Sequence, residues 1–173
     1  MKSQDELYEE ASAAYGTALQ RLARGYEADF ERRRDLVQQI HVELWRSLRL
    51  FDARCSLQTW VYRVAHNVAA SHVLRSRRTS SRLVDIDALK SDRGFVDGEA
   101  QANQQYSVSR LLERIYRLKP LDRQIALLYL EGEHAASIAE ITGLSAANVA
   151  TKIHRIKRLL SRDSGEGAIH ARR

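Results

Sequence analysis

Residues Ala135 to Leu160 read AASIAEITGLSAANVATKIHRIKRLL. The spacing predicts a short helix, a tight turn at Gly143-Leu144-Ser145, and a longer basic helix, the pattern of a helix-turn-helix. Val149, Ile153, Ile156 and Leu160 recur at helical spacing and form the face that docks on the first helix. Asn148, Thr151, Lys152 and Arg155 fall at i, i+3, i+4 and i+7, a second stripe of polar and basic groups with His154 beside it. Such groups hydrogen-bond base edges and phosphates. Ser145 stands where the second helix needs an N-cap. Ala139 and Gly143 are small where two helices must approach closely. A glycine between two helices also occurs without any nucleic acid, so the rest of the chain must be weighed.

The chain has 173 residues, one proline and eight glycines, and 44% of its residues are hydrophobic. That supports one domain or two small ones. Strand-like alternation between turn residues is nearly absent, so the expected fold class is all-α. Tyr8, Ala11, Tyr15, Leu19, Leu22, Tyr26 and Phe30 mark a first helix, with a charged break or helix end at 29–34. Leu36, Val37, Ile40, Leu44, Leu48 and Phe51 mark a second. After a loop at Asp52–Ser56, Leu57, Trp60, Val61, Val64, Ala65, Val68 and His72 mark a third, which ends in Arg75-Ser76-Arg77-Arg78. Trp60 lies on the apolar stripe and reads as core. Residues 79–105 lose the periodicity and read as an acidic linker with at most a short helical turn. Periodicity resumes at Val108, Leu111, Leu112, Ile115 and Leu118. Pro120 interrupts it, and Asp122 is placed to cap a helix through Leu130. The expected organisation is a helical domain at 1–78, the linker at 79–105, a second helical domain at 106–162 and a flexible tail at 163–173.

Net charge is +6 and unevenly spread. Residues 1–80 carry 13 basic against 10 acidic groups, 81–107 carry 3 against 5, and 108–173 carry 12 against 7. Two basic segments around an acidic one fit two polyanion-binding modules on a tether that avoids the polyanion. Cys55 is the only cysteine, which precludes an internal disulfide and suits a reducing cytoplasm. The polar N-terminus lacks a signal-peptide core, and no run of 18 apolar residues occurs, so no direct membrane insertion is expected. The six histidines lack metal-ligand spacing. No phosphate-cradling glycine loop or serine elbow is present. The expectation is a protein without catalysis, metal or cofactor.

Several motifs in order resemble one family. They are Asp35-Leu36-Val37-Gln38, then Thr59-Trp60-Val61-Tyr62-Arg63-Val64-Ala65-His66-Asn67-Val68-Ala69, then Leu118-Lys119-Pro120-Leu121, Tyr129-Leu130-Glu131-Gly132, Ile138-Ala139 and Val149. Together the two modules resemble an extracytoplasmic-function sigma factor of bacterial RNA polymerase, over roughly residues 10–78 and 106–162. The resemblance implies that Asp35, Gln38 and Gln39 face the clamp helices of core polymerase. On the residues alone, these three are also what a solvated helix N-terminus carries. It implies that the tryptophan-bearing helix and the loop before it open the promoter and hold a flipped base of the minus-ten element. Arg54 and Ser56 would line the loop, while Arg63, Asn67, Arg75, Arg77 and Arg78 would supply cation and amide groups. It implies that Asn148, Thr151, Lys152, His154 and Arg155 read the duplex minus-thirty-five element. An anti-sigma factor, often membrane-tethered, is implied as a further partner. The chain departs from the family pattern at Gln39, His41 and Ser71. A second reading remains open, a dimeric helix-turn-helix regulator that binds duplex DNA without polymerase. A third, a helical adaptor that binds only proteins, is opposed by the basic run at Arg75–Arg78.

Overall fold

The computed structural model describes residues 2–80 and 99–162, with side chains described at 2–76 and 106–161. The chain divides into two compact units, Met1–Gly94 and Phe95–Arg173. Among the described residues all regular structure is α-helix, as expected.

The first unit holds α1 (Gln4–Arg24), α2 (Phe30–Leu48) and α3 (Leu57–Ser80). Each start is written locally. Ser3 Oγ accepts from the Glu6 amide and Glu6 returns a bond to the Ser3 amide, a full capping box. Asp29 accepts from the Arg32 amide and caps α2. Ser56 Oγ accepts from the Thr59 amide at 3.1 Å and so caps α3. The core is Leu19 and Leu22 from α1, Leu36, Ile40, Leu44 and Leu48 from α2, and Val61, Ala65 and Ala69 from α3. Each of the six leucines and isoleucines contributes about 1.5–3 kcal/mol on burial.

Two boundaries differ from the periodicity. Tyr26 and Phe30 extend the apolar spacing of α1, but Gly25 ends that helix and Asp29 starts the next. The charged run Glu31–Arg34 is therefore the first turn of α2, not a break. The aspartate cap that opens α2 outweighs two more residues in register. Tyr26 is still buried, after the helix rather than in it, and Phe30 is exposed.

The second unit holds α4 (Glu99–Arg117), α5 (Pro120–Leu130), α6 (Ala135–Thr142) and α7 (Ala146–Arg162). α4 begins seven residues before the expected domain start at 106, inside the segment read as linker. Residues 99–105 are EAQANQQ, good helix formers with no apolar stripe, so periodicity could not reveal them. The rest of the expected linker, 81–98, and the expected tail, 163–173, lie outside the described residues.

Pro120 is the first residue of α5, where its missing N–H removes nothing. Gly132, at φ +89°, closes a Schellman motif: the Glu133 amide donates to Leu128 O and the Gly132 amide to Tyr129 O. Gly143, at φ +75°, ends α6 with a bond to Ala139 O. A Cβ there would meet nothing within 4 Å. The left-handed backbone requires this glycine, not close helix approach as expected. Ile115, Ile125, Leu128, Ile138, Val149 and Ile156 form the core. Ile153 and Leu160 line an apolar cleft of about 280 Å³ that α7 forms with α5, beside Ile125 and Tyr129. The stripe on α7 thus meets α5 as well as α6.

Arg123 is buried and donates to the carbonyls of Ile115 and Tyr116. It supplies further donors to the C-terminal carbonyls of α4, where a cation is favoured by the helix dipole.

Candidate nucleic-acid interface

In the second unit, the five candidate residues sit on α7. Ser145 caps this helix as expected, accepting from the Asn148 amide at 3.3 Å. Asn148, Thr151 and His154 are exposed. Thr151 Oγ1 donates to Ala147 O. Lys152 and Arg155 are held differently. Lys152 Nζ lies 3.0 Å from Asp122 Oδ1, and Arg155 Nη2 lies 2.5 Å from Asp122 Oδ2. The Asp122 side chain is 8% exposed, that of Lys152 28% and that of Arg155 56%.

Asp122 is the functional neighbour that the sequence reading missed. It was expected to cap α5, but Lys119 occupies the N-cap position and Asp122 lies inside the first turn. It shares a face with the buried Ile125 and Ala126, at i, i+3 and i+4. A carboxylate on an apolar face needs a counter-charge, and α7 has only Lys, Arg and His as ionisable groups through Leu160. The sequence thus signals the need for a counter-charge, but not which residues meet it.

In the first unit, Arg63, Asn67 and Arg75 are exposed along one face of α3, with Ser71 between them. Arg77 and Arg78 lie in the last turns of the same helix, but their side chains lie outside the described residues. Arg54 and Ser56 lie in the loop before α3. Arg54 Nε is 3.0 Å from Asp52 Oδ2, a surface pair that adds little stability. Ser56 is committed to its cap and also shares a bond with Thr59 Oγ1. Trp60 packs edge-on against Phe51 and donates to Ser47 Oγ at 3.0 Å. It is half-buried, packed at the edge of the core. The loop carries the positive-φ residue Ala53, at φ +58°.

Beneath this face, His66 is buried. Its Nδ1 lies 2.9 Å from the Tyr26 hydroxyl, while its Nε2 is buried with no hydrogen-bond partner among the described residues. Burial pushes its pKa down to about 3, so the ring is neutral. His41, which faces the Tyr8 hydroxyl at 3.0 Å, is also pushed down by burial.

Asp35 and Gln38 are exposed on α2, and Gln39 is half-buried. The same face continues through Val42, 46% exposed, and Trp45, 43% exposed. The Trp45 indole donates to Asp5 and its carbonyl accepts from Gln4. An exposed apolar pair beside polar groups is a surface suited to docking. Its tryptophan was hidden in the sequence by the adjacent, periodic Leu44.

Among the described residues, no three His, Cys, Asp or Glu side chains gather as a metal site. No described helix is long and apolar enough to cross a membrane.

The comparisons with known proteins divide along the same two units. Residues 12–79 match the family model of sigma-70 region 2, and residues 109–160 match that of sigma-70 region 4. The chain is similar to an RNA polymerase sigma-H factor of Pseudomonas aeruginosa, 28% identical over 124 residues. That alignment covers 71% of this chain and 62% of the relative, so the chain spans less than two thirds of that relative's length. It is similar also to an ECF RNA polymerase sigma-E factor of Haemophilus influenzae, 28% identical over 134 residues, 73% of this chain and 71% of the relative. Two solved structures share the fold. One is CnrH in complex with the cytosolic domain of CnrY, with TM-score 0.62 and 21% identity over 89% of this chain and 84% of that one. The other is the sigma factor RpoE in complex with the anti-sigma factor NepR from Bartonella quintana, with TM-score 0.64 and 16% identity over 89% and 94%. With region 2 on the first helical unit and region 4 on the second, the chain belongs to the extracytoplasmic-function sigma factors of the sigma-70 family.

Proposed function

We propose that the chain is a promoter-specific initiation factor for RNA polymerase that works as a single chain. The observation that carries this reading is the pairing of a region 2 unit with a region 4 unit, each with its polar and basic face on one helix. In this reading α2 docks on core polymerase through Asp35, Gln38 and Gln39, with Val42 and Trp45 extending the contact. Arg54, Ser56, Arg63, Asn67, Arg75, Arg77 and Arg78 serve the single-stranded minus-ten element. An amide and cations beside a helix are what a flipped base and its phosphates need. Asn148, Thr151, His154 and Arg155 face the minus-thirty-five duplex, with Lys152 beside them. The chain performs no bond chemistry and needs no cofactor; polymerase catalyses synthesis.

Control by an anti-sigma protein belongs to this proposal, supported by the complex of the structurally similar RpoE with NepR. So does a cytoplasmic location, at the membrane only when such a partner is tethered there. The dimeric regulator is not favoured, because residues 12–79 match region 2 instead of leaving an unassigned effector domain.

Run-off transcription on genomic fragments tests the reading. Sigma-free core polymerase with the chain is expected to start from a small set of discrete sites, where core alone does not. Equal transcription with and without the chain would refute it. On those promoters, Asn67→Ala is expected to reduce permanganate reactivity of minus-ten thymines while leaving polymerase binding intact. Unchanged reactivity would remove Asn67 from base capture.

A further inference from the structure

Two of the basic side chains on the duplex-facing helix are anchored to a carboxylate that water barely reaches. Asp122 spends both oxygens on them, Oδ1 on Lys152 at 3.0 Å and Oδ2 on Arg155 at 2.5 Å. Stability alone is a poor reason for this arrangement. Desolvating a carboxylate offsets most of what its partners return, and an apolar side chain of the same size is often as stabilising. Raw affinity for DNA is a poor reason too. Affinity for the phosphate backbone rises with each open cation, and Asp122 neutralises one of them. What the arrangement does provide is orientation. An arginine is planar with five donors in a fixed fork, and its flexible stem otherwise samples many rotamers. Here one Nη2 hydrogen is spent on Asp122, and the other, with Nη1 or Nε beside it, still makes one two-pronged fork on a side chain that is 56% exposed. Lys152, 28% exposed, has its ammonium turned to the same carboxylate.

We propose that Asp122 is a positioning residue for duplex readout: it aims the open fork of Arg155 at a base, and Lys152 is the strut that completes the ion triad around the buried carboxylate, not a DNA contact. This rests on the reading of α7 as the duplex-contacting helix. It also revises that reading, since Lys152 leaves the contact set.

The test uses the full chain assembled with core polymerase and a duplex library with a randomised upstream window. It reads the ratio of affinity for the selected sequence to affinity for random duplex. Asp122→Asn keeps the shape and removes the charge. It is expected to lower the ratio about tenfold, within the range of one bidentate base contact. Affinity for random duplex is expected to hold or rise, with the salt slope steeper by about one, because a cation is released to the backbone. Asp122→Glu keeps the charge and displaces the fork; the ratio should fall with no steeper slope. Lys152→Met should lower the ratio and leave the slope nearly unchanged, and it decides the matter if the Asp122→Asn protein does not fold.

A ratio within about twofold of the parent in Asp122→Asn and Lys152→Met would overturn the proposal, since a bidentate contact is worth far more. Equal loss of selected and random affinity together with a lower unfolding midpoint would also overturn it, marking a purely structural role. Arg155→Ala separates the two levels. If it leaves the ratio intact, or the parent selects no sequence, the reading of α7 fails and the inference with it. If Arg155→Ala removes the ratio but Asp122→Asn does not, only the role of Asp122 falls.

Discussion

His66 in the first helical unit and Asp122 in the second are both buried under the face assigned to nucleic acid, and the two units solve the burial differently. In the first, His66 is kept neutral, takes one hydrogen bond at Nδ1 from or to Tyr26, and leaves Nε2 without a partner. In the second, Asp122 is paired with two cations that are themselves part of the surface. The difference is one of coupling. A neutral buried ring acts on its own unit's stability and on nothing outside. A buried carboxylate that reaches the surface through its partners ties the packing of α5 to the geometry of α7. The first unit is expected to respond to acid, and the second to changes on the face proposed to read DNA.

The two units can be read apart in one experiment, because Trp45 and Trp60 both lie in the first. Tryptophan fluorescence follows that unit, while far-UV circular dichroism follows both. The largest effect is expected from stripping Asp122 of both partners. Lys152→Met with Arg155→Met leaves a buried, uncompensated carboxylate and should destabilise the second unit by about 3 kcal/mol. The dichroism transition should split while the fluorescence midpoint stays. Adding Asp122→Leu to that pair should recover most of the loss. If the double variant unfolds like the parent, the carboxylate is not buried in solution and the contrast fails.

Acid sharpens the comparison from the other side. The unfolded chain protonates His66 near 6.5, but the folded chain holds it neutral down to about 3. Its contribution is complete above pH 6.5 and is lost as pH falls below that, by about 1.4 kcal/mol per unit. At pH 5 the first unit should be weaker by about 2 kcal/mol than at neutral pH. His66→Gln should flatten that slope in the fluorescence transition. A slope unchanged in the variant would assign the acid response to other groups.

The smallest effect concerns two left-handed backbone positions. Gly143→Ala should cost about 1 kcal/mol in the second unit, although the added methyl has room. Ala53→Gly removes the same strain before α3 and should stabilise the first unit by roughly 0.5 kcal/mol, the unfolded-state entropy of glycine offsetting the rest. Thermal unfolding read by both probes checks the pair. Opposite signs are expected, and like signs would break the account of those turns.

The helix-turn-helix was legible because its signals are local: Ser145 caps, Gly143 stops, and Val149 and Ile156 repeat at helical spacing. The second and third helices of the first unit were legible for the same reason. What was not legible involves competition or distance. Tyr26 and Phe30 follow the period of α1, yet the Asp29 cap overrides it. Residues 99–105 are helical by propensity without an apolar face to announce them. Asp122 looks like a helix cap in one dimension. Only the fold brings it against Lys152 and Arg155, thirty or more residues away in sequence. The placement of Arg63, Asn67 and Arg75 on one face of α3 followed from spacing, whereas the exposure of Trp45 did not.

The most direct measurement is co-elution of the purified chain with sigma-free core RNA polymerase on a sizing column. A stable complex with one copy of the chain per core, weakened by Gln38→Ala with Trp45→Ala, is the predicted result. A chain that elutes apart from polymerase, as a dimer that binds duplex DNA, would contradict it.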